Sequence, residues 1–479
     1  MKNLPVLHPY LFAILPALII FADNSTEIPA GQIIIPFIVI ISLTWLTWKA
    51  LDCLIKEKKA SALVAMLFMV AVFTFGTMYD FIRSLVVWNN GKYYEMGFTA
   101  IIFSLFVFYC YMVIKFKRSV KIQTINTALT CLGAFLILFN IAQTGIYQWN
   151  KPKEIQNSGF KNPPPASPVL PDIYYIILDQ YAGVNEMKDV FNYDSGGFAA
   201  RLEKKGFYVA RDSKIKLCIT DLSLATSLNM KLPDLTNINP NLENVDNVVA
   251  SKFGLFNVRD KFIYKLIRDN EVIKLLKSKG YKYINFGSWF YPTSHNKRAD
   301  LNFNCYGFFI KQEFTHTLVK NSIARILFIN KDYFRKGVLY EFDELAKMPE
   351  IPGPKFVFAH VICPHLPFVF GPNGEKVDSK KAYVPDIKQY TNQHIYVTKL
   401  TEKLVNEIIS KSKTPPVIVI QSDHGSRFHP GYVQDIFNAI YLPGGGKKYL
   451  YSTIAPQNTF RIIFNRYFGT KYPLLSDKV

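Results

Sequence analysis

"VIVIQSDHGSR", residues 417–427, begins with four apolar residues in a row and ends in an acid, a histidine and a glycine. Val417 to Ile420 suit a strand of a parallel sheet covered on both faces. A strand that only had to fold would finish in an ordinary turn. Asp423 and His424 side by side suit a site instead, because open α/β sheets bind ligands outside the carboxyl ends of their strands.

The pattern recurs across the second part of the chain. "DIYYIILD" (172–179) is an apolar strand ending in an acid, "KFVFAHVI" (355–362) is another, and "YKYINFG" and "FNAIYLPG" (437–444) add two more. Between them lie helical patterns. "NEMKDVFNYDSGGFAARLEKKG" reads as helical turns broken near Gly196–Gly197, "KFIYKLIRDNEVIKLLKSKG" (261–280) as one helix with a glycine stop, and 387–412 as a long amphipathic helix. Strands alternating with helices predict a mostly parallel sheet with helices on both faces.

The first part has a different composition. Apolar runs fall at about 7–22, 32–48, 61–79, 97–114 and 126–146, each near the roughly 20 residues that cross a bilayer as a helix. The expected layout is a five-helix transmembrane domain at 1–147, a proline-rich linker at 148–170, and an α/β domain at 171–479. Lys2, Lys49, Lys56, Lys58, Lys59, Lys115, Lys117, Arg118 and Lys121 fall in one set of loops, against Arg83 and Lys92 in the other. By the positive-inside rule the N-terminus is cytoplasmic, and five spans then export the α/β domain. The expected location is thus the cytoplasmic membrane, with several passes.

Of the formal net charge of +20, about +15 lies beyond residue 150. Such a surface is either merely soluble or drawn to anionic headgroups or an envelope polyanion. Nucleic acid is excluded as a partner for an exported domain. Six cysteines without CxxC spacing exclude a cysteine zinc site, and the exported three (Cys218, Cys305, Cys363) allow at most one disulfide.

Three strands end in groups that bind cations: Asp179 after "IYYIIL", His365 in "FAHVICPHLPF", and Asp423 with His424. Two carboxylates with one or two imidazoles form a mixed oxygen–nitrogen site suited to zinc or manganese, with magnesium or calcium also admitted. His360, inside its strand, reads as structural.

Together, "IILDQ", "TDLSLATSLN", "CPHLPF" and "QSDHGSR" resemble the sulfatase-like branch of the alkaline phosphatase superfamily. The five-span layout resembles lipoteichoic acid synthases and lipid A phosphoethanolamine transferases within it. The resemblance implies an alkaline phosphatase/sulfatase-like α/β fold and a divalent cation held by Asp179, Thr220, Asp423 and His424. It also implies that Thr220, three residues before Ser223, is the nucleophile. His365 then meets the substrate phosphate or a second metal, where His429 and Arg427 join it; the spacing of His429 from the Asp-His pair departs from the transferases. Formylglycine sulfatases need Cys/Ser-x-Pro-x-Arg, and "CITDLS" has neither the proline nor the arginine.

The implied activity moves a phospho-headgroup, of phosphoethanolamine or phosphoglycerol type, from a membrane phospholipid to an envelope glycolipid or polysaccharide. Two alternatives stand beside it: a hydrolase of phosphate or sulfuric esters, and a catalytically silent membrane binding protein. As competitors for the nucleophile, Ser223 and Ser213 remain open.

Overall fold

In the computed structural model the described residues are 5–23, 30–86, 92–149, 170–234, 258–304, 313–325, 332–378, 382 and 384–478. The expected linker therefore lies outside the described residues, except for its two ends. The chain forms two compact units.

Among the described residues, the N-terminal part of the first unit forms five α-helices: α1 (His8–Asp23), α2 (Ile34–Ile55), α3 (Lys58–Val86), α4 (Lys92–Lys115) and α5 (Val120–Trp149). Their outward faces carry Ile35, Ile38, Leu54, Phe103, Phe135 and Leu138, all exposed. Water would penalise so continuous an apolar exterior, whereas lipid accepts it. Three segments, Ile34–Ile55, Lys58–Met78 and Lys121–Gln143, are long and apolar enough to cross a membrane; His8–Ala22 and Phe103–Lys115 are shorter apolar helices. Small residues Ala13 and Ala17 bury α1 against its neighbours, and His8 Nε2 meets Asn126 Oδ1 at 2.8 Å.

One element of this unit comes from late in the chain. The described residues 313–325 belong to it, although the sequence suggested that they lie in the α/β domain. The reason is apolar burial: Phe314 and Leu318 complete a cluster with Ala13, Ala17, Ile40, Met69 and Phe73. Ile323 N–H donates to Val72 O at 2.8 Å, and Arg325 Nη1 donates to Gly76 O at 3.0 Å.

The second unit is built on a mixed seven-stranded sheet. In chain order the strands are β1 (Ile173–Leu178), β2 (Tyr208–Val209), β3 (Lys282–Gly287), β4 (Leu301–Asn304), β5 (Lys355–Val361), β6 (Val417–Ser422) and β7 (Asn438–Tyr441). Their spatial order is β2-β7-β6-β1-β5-β3-β4. The five strands from β6 to β4 are parallel, while β7 runs antiparallel to both β6 and β2.

Alternation along β1 explains why its run is wholly apolar. Tyr174, Ile176 and Leu178 enter one core with Phe198, Leu202, Phe342, Val397 and Leu404. Ile173, Tyr175 and Ile177 enter the other with Leu222, Ala225, Ile273 and Phe460. Both faces are covered, as a parallel strand requires.

Local boundaries differ from the sequence reading in two places. The expected helix over 261–280 is two, Val258–Arg268 and Glu271–Ser278, because Asn270 caps the second through Oδ1 to Ile273 N at 2.8 Å. Near residue 196 the helical turns break at 190–195, before the glycines, and a helix starts at Gly196. The expected helix at 387–412 spans Ile387–Lys411.

Candidate functional site

Register brings the strand ends level. Leu178 of β1 pairs with Val361 of β5 and Ser422 of β6, so Asp179 and Asp423 leave the sheet at the same height. Parity then fixes their side: residues 173, 175, 177 and 179 share one face of β1, and 417, 419, 421 and 423 share the same face of β6. His360 follows Phe356 and Phe358 onto that face of β5. Helix α8 (Thr220–Asn229) covers it, with Leu222, Leu224 and Ala225 in the same core.

Three side chains therefore converge. Asp179, His360 and Asp423 are buried, and each offers a ligand atom within 4.8 Å of the others. His360 Nε2 lies 3.3 Å from Asp179 Oδ2. Yet among the described residues Asp179 Oδ1, His360 Nε2 and Asp423 Oδ2 have no hydrogen-bond partner. Buried polar atoms are nearly always paired, and three orphans facing one another are the condition a divalent cation relieves. The residues fit such an ion.

Surrounding groups hold these side chains in place. Asp423 Oδ1 accepts from Gln180 N at 3.0 Å and from His424 N at 2.9 Å. His360 Nδ1 lies 3.1 Å from Thr293 Oγ1, which is 2.9 Å from Ser288 Oγ; such outer partners orient a ligating imidazole. Burial opposes ionisation of Asp179, but His365, His360 and His424 outweigh it and hold its carboxyl down at about 2.

His424 follows Asp423 past the end of β6 and is buried beside the group. Its Nδ1 lies 2.8 Å from Gly425 O, a carbonyl that only accepts, so Nδ1 carries the proton and Nε2 the lone pair. Nε2 is 3.3 Å from Asp423 Oδ2, 3.1 Å from Arg427 Nη2 and 3.4 Å from Thr220 Oγ1. Arg427 also donates to Cys218 O at 3.0 Å, tying the corner after β6 to the approach of α8.

The opening motif is now explained residue by residue. Val417–Ser422 is the covered strand, Asp423 and His424 face the site, and Gly425 is required by contact. A Cβ there would sit 2.2 Å from Tyr432 O. Ser426 donates to buried Glu186 through Oγ at 2.5 Å.

Thr220 is the first residue of α8, and Ile219 occupies the N-cap in extended conformation without a side-chain cap bond. The Thr220 hydroxyl is thus free of capping and half-buried beside His424. Ser223 is buried and donates to Asp423 O at 2.7 Å; Ser213 is buried and donates to Ile454 O at 2.5 Å. Each is committed to a backbone carbonyl.

The remaining sequence candidates are placed differently. His365 is half-buried, and its Nδ1 is 2.5 Å from Leu366 O. His429 is exposed, accepts from Gly431 N at 3.1 Å through Nδ1, and is not in the buried group. His360, which the sequence reading took as structural, is in that group. Its signal was a histidine at an inward position of an otherwise apolar strand. Cys218 and Cys363 are free thiols, and Cys305 lies outside the described residues.

Fold and site together define an integral-membrane chain with an α/β unit whose carboxyl-end face gathers a carboxylate–imidazole group under a helix N-terminus. No family model and no curated protein matches the chain. Among solved structures it is similar to the C-terminal periplasmic domain of EcEptC from Escherichia coli: 13% identity, 63% of this chain and 83% of that one, TM-score 0.40. It is similar also to the integral membrane protein lipooligosaccharide phosphoethanolamine transferase A from Neisseria meningitidis, at 13% identity over 94% of this chain and 77% of that one, TM-score 0.37. A protein in the alkaline phosphatase superfamily from Vibrio parahaemolyticus is similar at 10% identity over 63% and 67%, TM-score 0.36.

Proposed function

We propose that the chain is a metal-dependent membrane phosphotransferase. It moves a phospho-headgroup from a phospholipid to a hydroxyl of an envelope glycolipid or polysaccharide on the outer membrane face. The observation that carries the reading is the Thr220 hydroxyl, uncapped at the start of α8 and 3.4 Å from His424 Nε2, on the sheet face where Asp179, His360 and Asp423 meet.

Asp179, His360 and Asp423 would hold the cation, with His424 and Thr220 completing the donor set once Arg427 turns to the phosphoryl oxygens. When bound, the cation supplies charge neutralisation at the phosphoryl oxygens and a lowered pKa for the threonine hydroxyl. Thr220 Oγ attacks phosphorus, the bond to the lipid glycerol oxygen breaks, and diacylglycerol leaves with a proton. The positive end of the α8 dipole favours the negative charge that collects there. An acceptor hydroxyl then attacks the phospho-threonine, and Thr220 regains its proton. With water as acceptor the same residues perform hydrolysis, the second reading.

Orientation in the membrane rests on the loop charges. In the first unit, residues 313–325 pack beside Phe21 and along Val72–Thr77, near the ends of α1 and α3 that lead away from the lysine-rich loops. That placement supports export of the chain beyond residue 150.

The test is release of diacylglycerol from phosphatidylethanolamine or phosphatidylglycerol by the purified full chain. Release that stops on chelation supports the proposal. No release from either lipid, with zinc or manganese supplied, contradicts it.

A further inference from the structure

The two strand ends that carry the aspartates are each followed by a residue in the left-handed region: Gln180 at φ 59 after β1 and Arg427 at φ 66 after β6. Residues other than glycine resist that conformation, and it persists only where neighbours hold it. Tyr390 holds the first. Its hydroxyl donates to Gln180 O at 2.6 Å and accepts from Ala182 N at 3.0 Å.

The second hangs on one carboxyl. Glu186, in the short helix Val184–Asp189, is buried. It accepts from Ser426 N at 3.2 Å and from Ser426 Oγ at 2.5 Å. Ser426 Oγ in turn accepts from Phe428 N at 3.2 Å. The backbone on both sides of Arg427 is thus tied to a single hydroxyl, and that hydroxyl to Glu186. Gly425 leaves room for the arrangement, since a Cβ there would stand 3.0 Å from Glu186 Oε2. Phe428 closes the corner against Phe191 and Tyr390, with ring centroids 5.5 and 5.3 Å apart. Burying a carboxyl is costly, and the hydrogen bonds that offset the cost all come from this corner.

We propose that Glu186 is a positioning residue: through Ser426 it fixes the left-handed corner at Arg427 and so aims the guanidinium at the phosphoryl oxygens. The inference rests on the phosphotransferase reading. Glu186 itself touches neither substrate nor cation; Arg427 makes the contact. The aim shows in the partners of Arg427 Nη2, which lies 3.1 Å from His424 Nε2 and donates to Cys218 O at 3.0 Å. A corner released from Glu186 relaxes toward right-handed backbone, and the long side chain swings off that line.

The experiment is titration calorimetry of inorganic phosphate on the zinc-supplied full chain in detergent. Glu186→Ala and Arg427→Ala should each weaken phosphate at least tenfold with bound metal retained. The double variant should be no weaker than Arg427→Ala alone, because one residue acts through the other. Glu186→Gln keeps an acceptor for Ser426 and should restore most of the affinity. Ser426→Ala removes the shared hydroxyl, keeps the test open if Glu186→Ala does not fold, and should weaken phosphate likewise. Parent affinity in Glu186→Ala or Ser426→Ala, or losses that add in full in the double variant, overturn the inference, as does a parent that binds no phosphate. Diacylglycerol release by the parent, followed alongside, would leave the transferase reading standing in each of those events, so the two fail separately.

Discussion

Ser223 Oγ donates to the carbonyl oxygen of Asp423 at 2.7 Å, so the helix that begins at Thr220 is fastened to the strand end that carries the Asp-His pair. One hydroxyl thereby fixes where the other stands. Ser223→Ala leaves that buried carbonyl without this donor, at a cost of about 1–3 kcal/mol. The melting temperature should fall clearly while substantial transfer remains, because the hydroxyl removed positions and does not attack. Loss of transfer as complete as in Thr220→Ala, in a folded variant, would give Ser223 a chemical role.

Metal content tests the buried group. Asp423→Ala removes an orphaned oxygen and the acceptor for two backbone N–H groups. Elemental analysis should show most divalent metal lost from a folded chain. His360→Gln should lose metal too, whereas His429→Gln should keep it, since His429 stands at an exposed turn. Full metal in Asp423→Ala would refute the site.

Glu186 gives a pH signature. Burial raises its carboxyl from 4.5 to about 7, against the opposing hydrogen bonds from Ser426 and with a further push from Asp435. A raised acid favours its protonated form in the folded state, so its contribution is complete below 4.5 and is lost as pH climbs through about 7. Glu186→Gln removes the titration. The wild type should lose stability relative to this variant between pH 5 and 8, by on the order of 3 kcal/mol at most. A difference in melting temperature that stays constant with pH would contradict this origin.

Topology is checked by a reporter fused near residue 155. It should be active only outside the cytoplasm, as the nine basic residues against two in alternate loops require. Cytoplasmic activity would remove access to an outer-face headgroup along with the topology.

The sequence made the covered strands legible because a run such as 417–420 has few other uses, and it made Asp179, Asp423 and His424 legible because strand ends are where sites collect. His360 was missed for want of parity: only the register of β5 against β1, with Ile177 opposite His360, reveals that it shares a face with Asp179. The two-residue β2 and the four-residue β4 carry too few positions to show a period. The docking of residues 313–325 on the membrane helices depends on Phe314 and Leu318 meeting side chains some 240 to 300 positions away, and no local pattern encodes that.

The nucleophile is the central claim. Because Ile219 and not Thr220 occupies the N-cap position of α8, Thr220→Ala should cost about 0.5 kcal/mol or less while transfer falls by orders of magnitude. The direct measurement is peptide mapping by mass spectrometry of the full chain incubated with phospholipid donor and no acceptor. The account predicts a phospho-headgroup on the peptide containing Thr220, fragmenting to that residue and absent from Thr220→Ala. An adduct on Ser223 or Ser213 would contradict it.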